Sequence, residues 1–467
     1  MKWEPVIGLE IHVHLKTRTK MFCRCALEYF APENSRTCPV CLAHPGALPV
    51  PNRQAIEMTI LLGQALGCEI VERAIFHRKH YFYPDLPKGY QISQYDEPLC
   101  VDGAFSLPTA DVEIPIGIVR AHLEEDAAKN VHMGGAQGRI SGADRTLVDF
   151  NRAGTPLVEI VTGPDIHSSE HAKRFLQLLR QTVVELGISD AEMEKGSLRF
   201  DVNVSVRPEG SDELRTRTEL KNMNSFNFAA KGIDREIQRQ IQIYESGGQV
   251  VQETMHFDPG NESAPPLRSK EEAQDYRYLP EPDLVPVEPP RDLVERLREE
   301  LPELPGVRIG RLAEELGFEL AEGLVVSGRD RLFEKVSGDR KVVANILMNQ
   351  FAATRVDPAA VDAAELSKLI ESWDQVPRHV FVEALGATGD PGFSAESYLG
   401  GDGQITEMGE LEPLIDQVLA ANPEQVESYR SGKEGLLGFF VGQVMKETEG
   451  RASPKLVNEL LREKLKS

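Results

Sequence analysis

No stretch of this sequence approaches the roughly 18 apolar residues that a membrane span needs. The opening segment, Met1 to Leu15, alternates polar and apolar residues and lacks the continuous apolar core of a signal peptide. A cytoplasmic chain without membrane attachment is therefore expected. Basic residues are scarce: 52 lysines and arginines stand against 74 aspartates and glutamates, a net charge of −22. That balance excludes nucleic-acid binding through the overall field, so any RNA contact requires a local basic patch. Three signatures are missing as well: the G-x-x-x-x-G-K-[ST] phosphate loop, the G-x-S-x-G elbow and the H-E-x-x-H helix. An ATP site here needs another architecture, and hydrolysis by a serine nucleophile has no support. No internal repeat is visible.

What is present points to a soluble α+β protein. A length of 467 residues exceeds one ordinary core and predicts two or three domains. Ile7, Leu9, Ile11, Val13 and Leu15 alternate with Gly8, Glu10, His12 and His14, a strand with one apolar and one polar face. Phe200, Val202, Val204 and Val206 repeat the pattern, and Ile118, Arg120, His122 and Glu124 are expected to share a face on a third strand. Half-polar strands suit an antiparallel sheet with one open face. Helices are expected from cap Asn52 to Gly67, from cap Ser168 to Gly187, and over about 226–244.

Residues 258–290 carry eight prolines, which predicts an extended segment and a domain boundary at its end. A helical domain follows over 291–403. The glycine-rich run Gly400-Gly401-Asp402-Gly403 predicts a second boundary, and a tail domain over 404–467 closes with a helix capped by Ser453 and opened by Pro454.

Four of the six cysteines form two close pairs, Cys23-Arg-Cys25 and Cys38-Pro-Val-Cys41. Such pairs on a loop over 23–41 can set four thiolates around one zinc ion at about 2.3 Å. Disulfides are the alternative, disfavoured in a reducing compartment. Four thiolates fill the coordination sphere, so the zinc would be structural. Cys68 and Cys100 read as buried thiols.

Two further clusters carry possible chemistry. Glu10 and His12 point the same way on one strand, and His122, Glu124, Glu125 and Asp126 close another. Asp201 and Glu219, the latter with Lys221, lie on further half-polar strands. Oxygen ligands with one imidazole suit magnesium or manganese; taken singly, each group is an ordinary solvated face. In the segment from His77 to Gln91, Arg78, Lys79 and Lys88 alternate with aromatics and prolines. Fixed cations on a stiff loop can neutralise phosphate oxygens, Tyr81, Phe82 and Tyr83 can stack bases, and the plain alternative is a surface loop.

Long runs of the sequence resemble the B subunit of the glutamyl/aspartyl-tRNA amidotransferases. They include Val6-Ile-Gly-Leu-Glu-Ile-His12, the run from Arg78 to Ile92, His122-Leu-Glu-Glu-Asp-Ala-Ala-Lys129 and Asn151-Arg-Ala-Gly-Thr-Pro-Leu-Val-Glu-Ile160. Glu219-Leu-Lys-Asn-Met-Asn-Ser-Phe-Asn227, the run from Asp275 to Asp283 and Gly438-Phe-Phe-Val-Gly-Gln-Val-Met-Lys446 complete the set. The resemblance implies a cradle-like N-terminal domain over 1–290, a helical domain and a tRNA-binding tail. It implies ATP-dependent phosphorylation of the side-chain carboxylate of Glu-tRNA(Gln), Asp-tRNA(Asn) or both, followed by amidation with ammonia. The implied partners are an amidase that hydrolyses glutamine, a small clasping protein and misacylated tRNA, with a non-discriminating aminoacyl-tRNA synthetase as a further candidate. It makes Glu10, His12 and Glu125 magnesium ligands with Glu124 close by. Asp201 and Glu219 become second ligands or ATP-site groups, and Lys79 the phosphate-neutralising cation. Lys446, Arg451, Lys455, Arg462, Lys464 and Lys466 would grip tRNA. His14, His77 and Lys195 depart from the family pattern. The rival reading is a non-catalytic, zinc-bearing tRNA adaptor.

Overall fold

The alternating segments pair into one large sheet. Its strands and their neighbours are β1 (Trp3–His14), β2 (Glu69–Ile70), β3 (His77–His80), β4 (Tyr90–Ser93) and β5 (Cys100–Pro108). Next come β6 (Glu113–Glu125), β7 (Lys129–Met133), β8 (Arg145–Asp149), β9 (Pro156–Thr162) and β10 (Leu198–Pro208). The last four are β11 (Thr218–Lys221), β12 (Glu253–His256), β13 (Pro266–Ser269) and β14 (Leu279–Pro280). The computed structural model describes all residues except 1, 135–141, 222, 224, 257–265, 270–275, 400–407, 432, 434–435, 449–451, 453 and 467.

Nine strands form the main sheet in the order β13-β12-β11-β10-β1-β9-β6-β5-β2. Every pair is antiparallel except β11 with β12, which runs parallel. The proline-bearing β13 stands at the edge, where a missing N–H costs no ladder bond. A smaller sheet, β14-β3-β4, has its own pairing and packs through β4 on β6, and β7 and β8 form a hairpin.

The apolar face is as the period requires. Ile7, Leu9, Ile11, Val13, Phe200, Val202, Val204 and Val206 are all at most 2% exposed. Helix α1 (Arg53–Ala65) packs on β5 and β6, α2 (Ser169–Glu185) on β5, and α3 (Phe226–Glu245) on β10. The first two start at the expected caps, Asn52 Oδ1 accepting from Gln54 and Ala55 N and Ser168 Oγ from His171 N; the third opens on Ser225, which no expectation had named, its Oγ accepting from Phe228 N. Gly67 and Gly187 end the first two with positive φ.

One expectation fails on β6. The pairing with β9 shifts between Ile118 and Arg120. Ile116 and Ile118 are buried, Val119 is exposed, and Ala121 and Leu123 are buried again. The bulge inverts the alternation, so Ile118 does not share the polar face of Arg120, His122 and Glu124.

The chain divides into two compact units, Met1–Arg308 and Ile309–Ser467. The first extends past residue 290 because α4 (Arg291–Glu299) packs on α1, where Gln64 Nε2 donates to Val294 O at 2.7 Å. The fully buried Arg308 then pairs with Glu185 at 2.5 Å. In the second unit the described elements are helical. Residues from Leu411 to Leu465 build a core of their own, with Phe440, Val444, Val457 and Leu461 fully buried. The expected boundary at 400–403 and the cap Ser453 lie outside the described residues. Among the described residues no helix is long and apolar enough to cross a membrane.

Candidate active site

Register brings the polar residues together. His12 on β1 stands opposite Glu159 on β9, and Glu159 stands opposite His122 on β6. Glu10 faces Asp201 across β1 and β10. These groups line a cavity of about 850 Å³ on the polar side of the sheet, with Glu124, Lys79, Glu219, Lys221, Tyr276 and Tyr278 also on its wall.

His12 is the hub. Its Nε2 lies 3.4 Å from Glu159 Oε2, 3.8 Å from Glu10 Oε1 and 3.8 Å from Glu124 Oε1. Ligand atoms of Glu10, His12 and Glu159 all fall within 4.8 Å of one another, as do those of His122, Glu124 and Glu159. Three carboxylates crowding one imidazole suit a divalent cation, and the oxygen-rich set suits a hard one. Burial and then the neighbouring Glu159 charge push the Glu124 carboxyl up to about 7. Burial holds His122 down to about 4, so it is a neutral nitrogen donor at pH 7. Burial opposes the charge on His12, yet the surrounding carboxylates, Glu159 first, raise its pKa.

The structure separates the two adjacent glutamates. Glu124 joins the cluster, but Glu125 points to the other side of β6. There its Oε1 accepts from Lys88 Nζ and from Ile92 N, the latter at 3.1 Å. The geometry therefore does not group Glu125 with Glu10 and His12, and it places Lys88 as the partner of Glu125 outside the cavity lining. Arg78 is likewise engaged: Glu281 holds it at 2.7 and 2.6 Å, and its guanidinium lies over Tyr90. Lys79, the next residue on β3, faces the cavity. Its Nζ sits 4.8 Å above the Tyr276 ring and has no carboxylate within ion-pair distance among the described residues. Burial acts against its charge, but Glu124, Tyr278 and Glu159 raise its pKa, so it stays protonated. Asp201 and Glu219 share the Lys221 ammonium at 2.5 and 3.1 Å.

Glu159, a lone carboxylate in the apolar run Pro156–Thr162 and only 6% exposed, is a functional residue the sequence pattern does not single out. A charge inside such a run was the available signal, because buried carboxylates need a cationic partner. The partner of His14 is equally hidden in the sequence: His14 Nε2 meets Asp126 Oδ2 at 2.7 Å, and Arg199 joins at 3.0 Å. Burial opposes that charge, yet His14, Arg199 and Arg152 hold the Asp126 carboxyl well below the usual range. His77 pairs with Asp96 and Lys195 with Glu192, both away from the cavity lining.

The four cysteines 23, 25, 38 and 41 converge, all Sγ atoms within 4.8 Å and Cys38 to Cys41 at 3.9 Å. A tetrahedral zinc with bonds of about 2.3 Å needs sulfurs about 3.8 Å apart, so the cluster fits that ion. The Cys23 sulfur foremost, against burial, pulls Cys41 down to about 4. Cys68 and Cys100 are separate buried thiols.

A model of the GatB/GatE catalytic domain matches residues 5–295, and a GatB domain model matches residues 331–465. Proteins that carry the name of the aspartyl/glutamyl-tRNA(Asn/Gln) amidotransferase B subunit match over the full length. That of Syntrophotalea carbinolica is 46% identical over 99% of both chains, and that of Carboxydothermus hydrogenoformans 45% over 99% of both. That of Persephonella marina is 44% identical over 100% of both.

Proposed function

The chain belongs to the B-subunit family of the aspartyl/glutamyl-tRNA(Asn/Gln) amidotransferases, and from that premise we propose which residues do the work. The complex carries out ATP-dependent amidation of misacylated tRNA with ammonia from the amidase partner. Glu10, His12, Glu124 and Glu159 are the set that would hold a divalent cation, with His122 a further donor. Such a cation supplies charge neutralisation for triphosphate oxygens. The single observation that carries the assignment is the row of Glu10, His12 and Glu159 set by strand register, with Lys79 on the same cavity.

A carboxylate is a poor electrophile, and conversion to an acyl phosphate gives ammonia a good leaving group to displace. Lys79 serves that transfer. Its desolvated ammonium, fixed over Tyr276, neutralises charge on the moving phosphoryl group. Asp201, Glu219 and Lys221 form the outer wall, where paired charges can meet the nucleotide. Asp126, locked by His14 and Arg199, seats the end of β6. Glu125 acts as a brace, joining β6 to β4 through Ile92 N. The half-open face of the sheet forms the cradle for the aminoacylated end of tRNA, and the zinc loop over 23–41 is structural. A small clasping protein and a non-discriminating synthetase complete the proposed partners.

Reconstitution with the amidase and the clasping protein tests the reading. Conversion of Glu-tRNA(Gln) or Asp-tRNA(Asn) to the amide, dependent on ATP and lost in Glu159→Gln, is expected. Failure to convert either substrate overturns it. A Glu159→Gln chain that amidates normally favours the adaptor reading instead.

A further inference from the structure

Lys20 lies outside the catalytic cavity and is 1% exposed. Its Nζ donates to Phe150 O at 3.0 Å and lies 3.6 Å from Cys41 Sγ. Among the described residues no carboxylate stands within ion-pair distance of it. A buried ammonium without a counter-charge is costly. The anion within reach is sulfur: Cys41 Sγ also accepts from Cys38 N at 3.2 Å. Four thiolates around Zn²⁺ carry a net charge of −2, and one adjacent ammonium halves it.

Lys20 also touches the turn that leads into β9. Its own N donates to Cys25 O at 3.0 Å, and the next residue, Met21, donates to Gly154 O at 2.7 Å. Gly154 has φ +84°, and a Cβ there would meet Lys20 Cδ at 3.4 Å. Gly154 N donates in turn to Asp126 O at 2.8 Å. The turn over 150–155 leads directly into β9, which carries Glu159.

We propose that Lys20 is the counter-charge of the four-cysteine metal centre and the link between that centre and the 150–155 turn that leads into β9. The inference rests on the zinc reading of the cysteines. Loading of the metal would then set the seat of β9, with Lys20 as a positioning residue and not a catalytic one.

The test uses the purified full-length chain. Metal analysis of the wild type comes first: less than one zinc per chain refutes the zinc centre itself. With zinc present, release to excess 4-(2-pyridylazo)resorcinol is followed for wild type, Lys20→Met and Lys20→Gln. Release about 10- to 100-fold faster in both is expected, the scale of lost ligand-supporting contacts; wild-type rates in either folded variant overturn the role of Lys20. Acetylation of the wild type with an N-hydroxysuccinimide ester, read by mass spectrometry, needs no variant. Lys20 should be modified only after zinc is stripped, and modification independent of zinc overturns the proposal. Amide exchange over 150–155 should rise on stripping; unchanged exchange there overturns the link to β9.

Discussion

Glu124 shows how much of the site's energy is stored against its own stability. It is 3% exposed, accepts from Ser93 Oγ at 3.1 Å, and faces Glu159. Burial and Glu159 raise its carboxyl to about 7, whereas an unfolded glutamate titrates near 4.3. The folded state therefore binds the proton more tightly. The resulting stability is fully present below about pH 4.3 and is lost as pH rises through about 7. Above that, the ionised carboxylate costs on the order of 3 kcal/mol in the metal-free protein. In chelator, Glu124→Gln should raise the melting temperature at pH 8 by several degrees and change it little at pH 5. With a divalent cation bound the sign reverses, because the variant loses a ligand. A variant no more stable than wild type at pH 8 in chelator removes the case for a crowded carboxylate. The same residue marks the limit of reading the sequence. Glu10 and His12 were legible because a two-residue period assigns them one face. The same period already sets Glu124 with Arg120 and His122; it was the family resemblance that drew in Glu125, while the bulge between Ile118 and Arg120, which no local signal announces, displaces only Ile118 from that face. Glu159 stayed hidden because its partners His12 and His122 come from strands distant in sequence, and only register joins them.

At the level of elements, the helix ends were the most legible features, since a cap is a bond between residues two or three apart. Asn52 and Ser168 accept where side-chain chemistry says they should, and Ser225, one residue before the expected start of α3, does the same. The sheet was less legible. The parallel pairing of β11 with β12 follows from a crossover through α3, and nothing in four residues of either strand specifies it. Helix packing onto the sheet was hidden too, and Gly63 exposes it. A Cβ on Gly63 in α1 would lie 2.5 Å from Cys100 Sγ on β5 and 3.0 Å from Ile70 Cδ1 on β2. Gly63→Ala improves helix propensity by about 1 kcal/mol, but overpacking costs about 1 to 3 kcal/mol. Contact so short must move the helix or the strand, so the overpacking wins. The variant should melt several degrees lower by calorimetry. Gly63 is not part of the cavity lining, so its kcat should match wild type at temperatures where it is folded. A melting temperature at or above wild type would mean that α1 sits farther from β5 than the structure has it.

Every residue of the cavity wall belongs to the first unit, from Glu10 to Tyr278. The second unit supplies a separate helical core and, on its exposed surface, Lys446 and Arg462. Lys464 is paired with Asp416 at 2.6 Å, while Arg451 and the side chains of Lys455 and Lys466 lie outside the described residues. In a chain of net charge −22 the long-range field repels RNA, so the proposed grip of the tail on tRNA would rest on local cations that displace counterions. The two kinds of cation should then fail differently. In the reconstituted complex, Lys446→Ala with Arg462→Ala should weaken tRNA binding several-fold and reduce the log–log salt slope by about two. Its kcat at saturating tRNA should be unchanged. Lys79→Ala should do the reverse, lowering kcat about 10²- to 10³-fold, the scale of losing one preorganised charge-stabilising group, with the salt slope intact. Filter binding across a salt series beside amidation kinetics separates the two. If the double variant lowers kcat at saturation, or Lys79→Ala acts only through affinity, then the division of labour between the units is wrong.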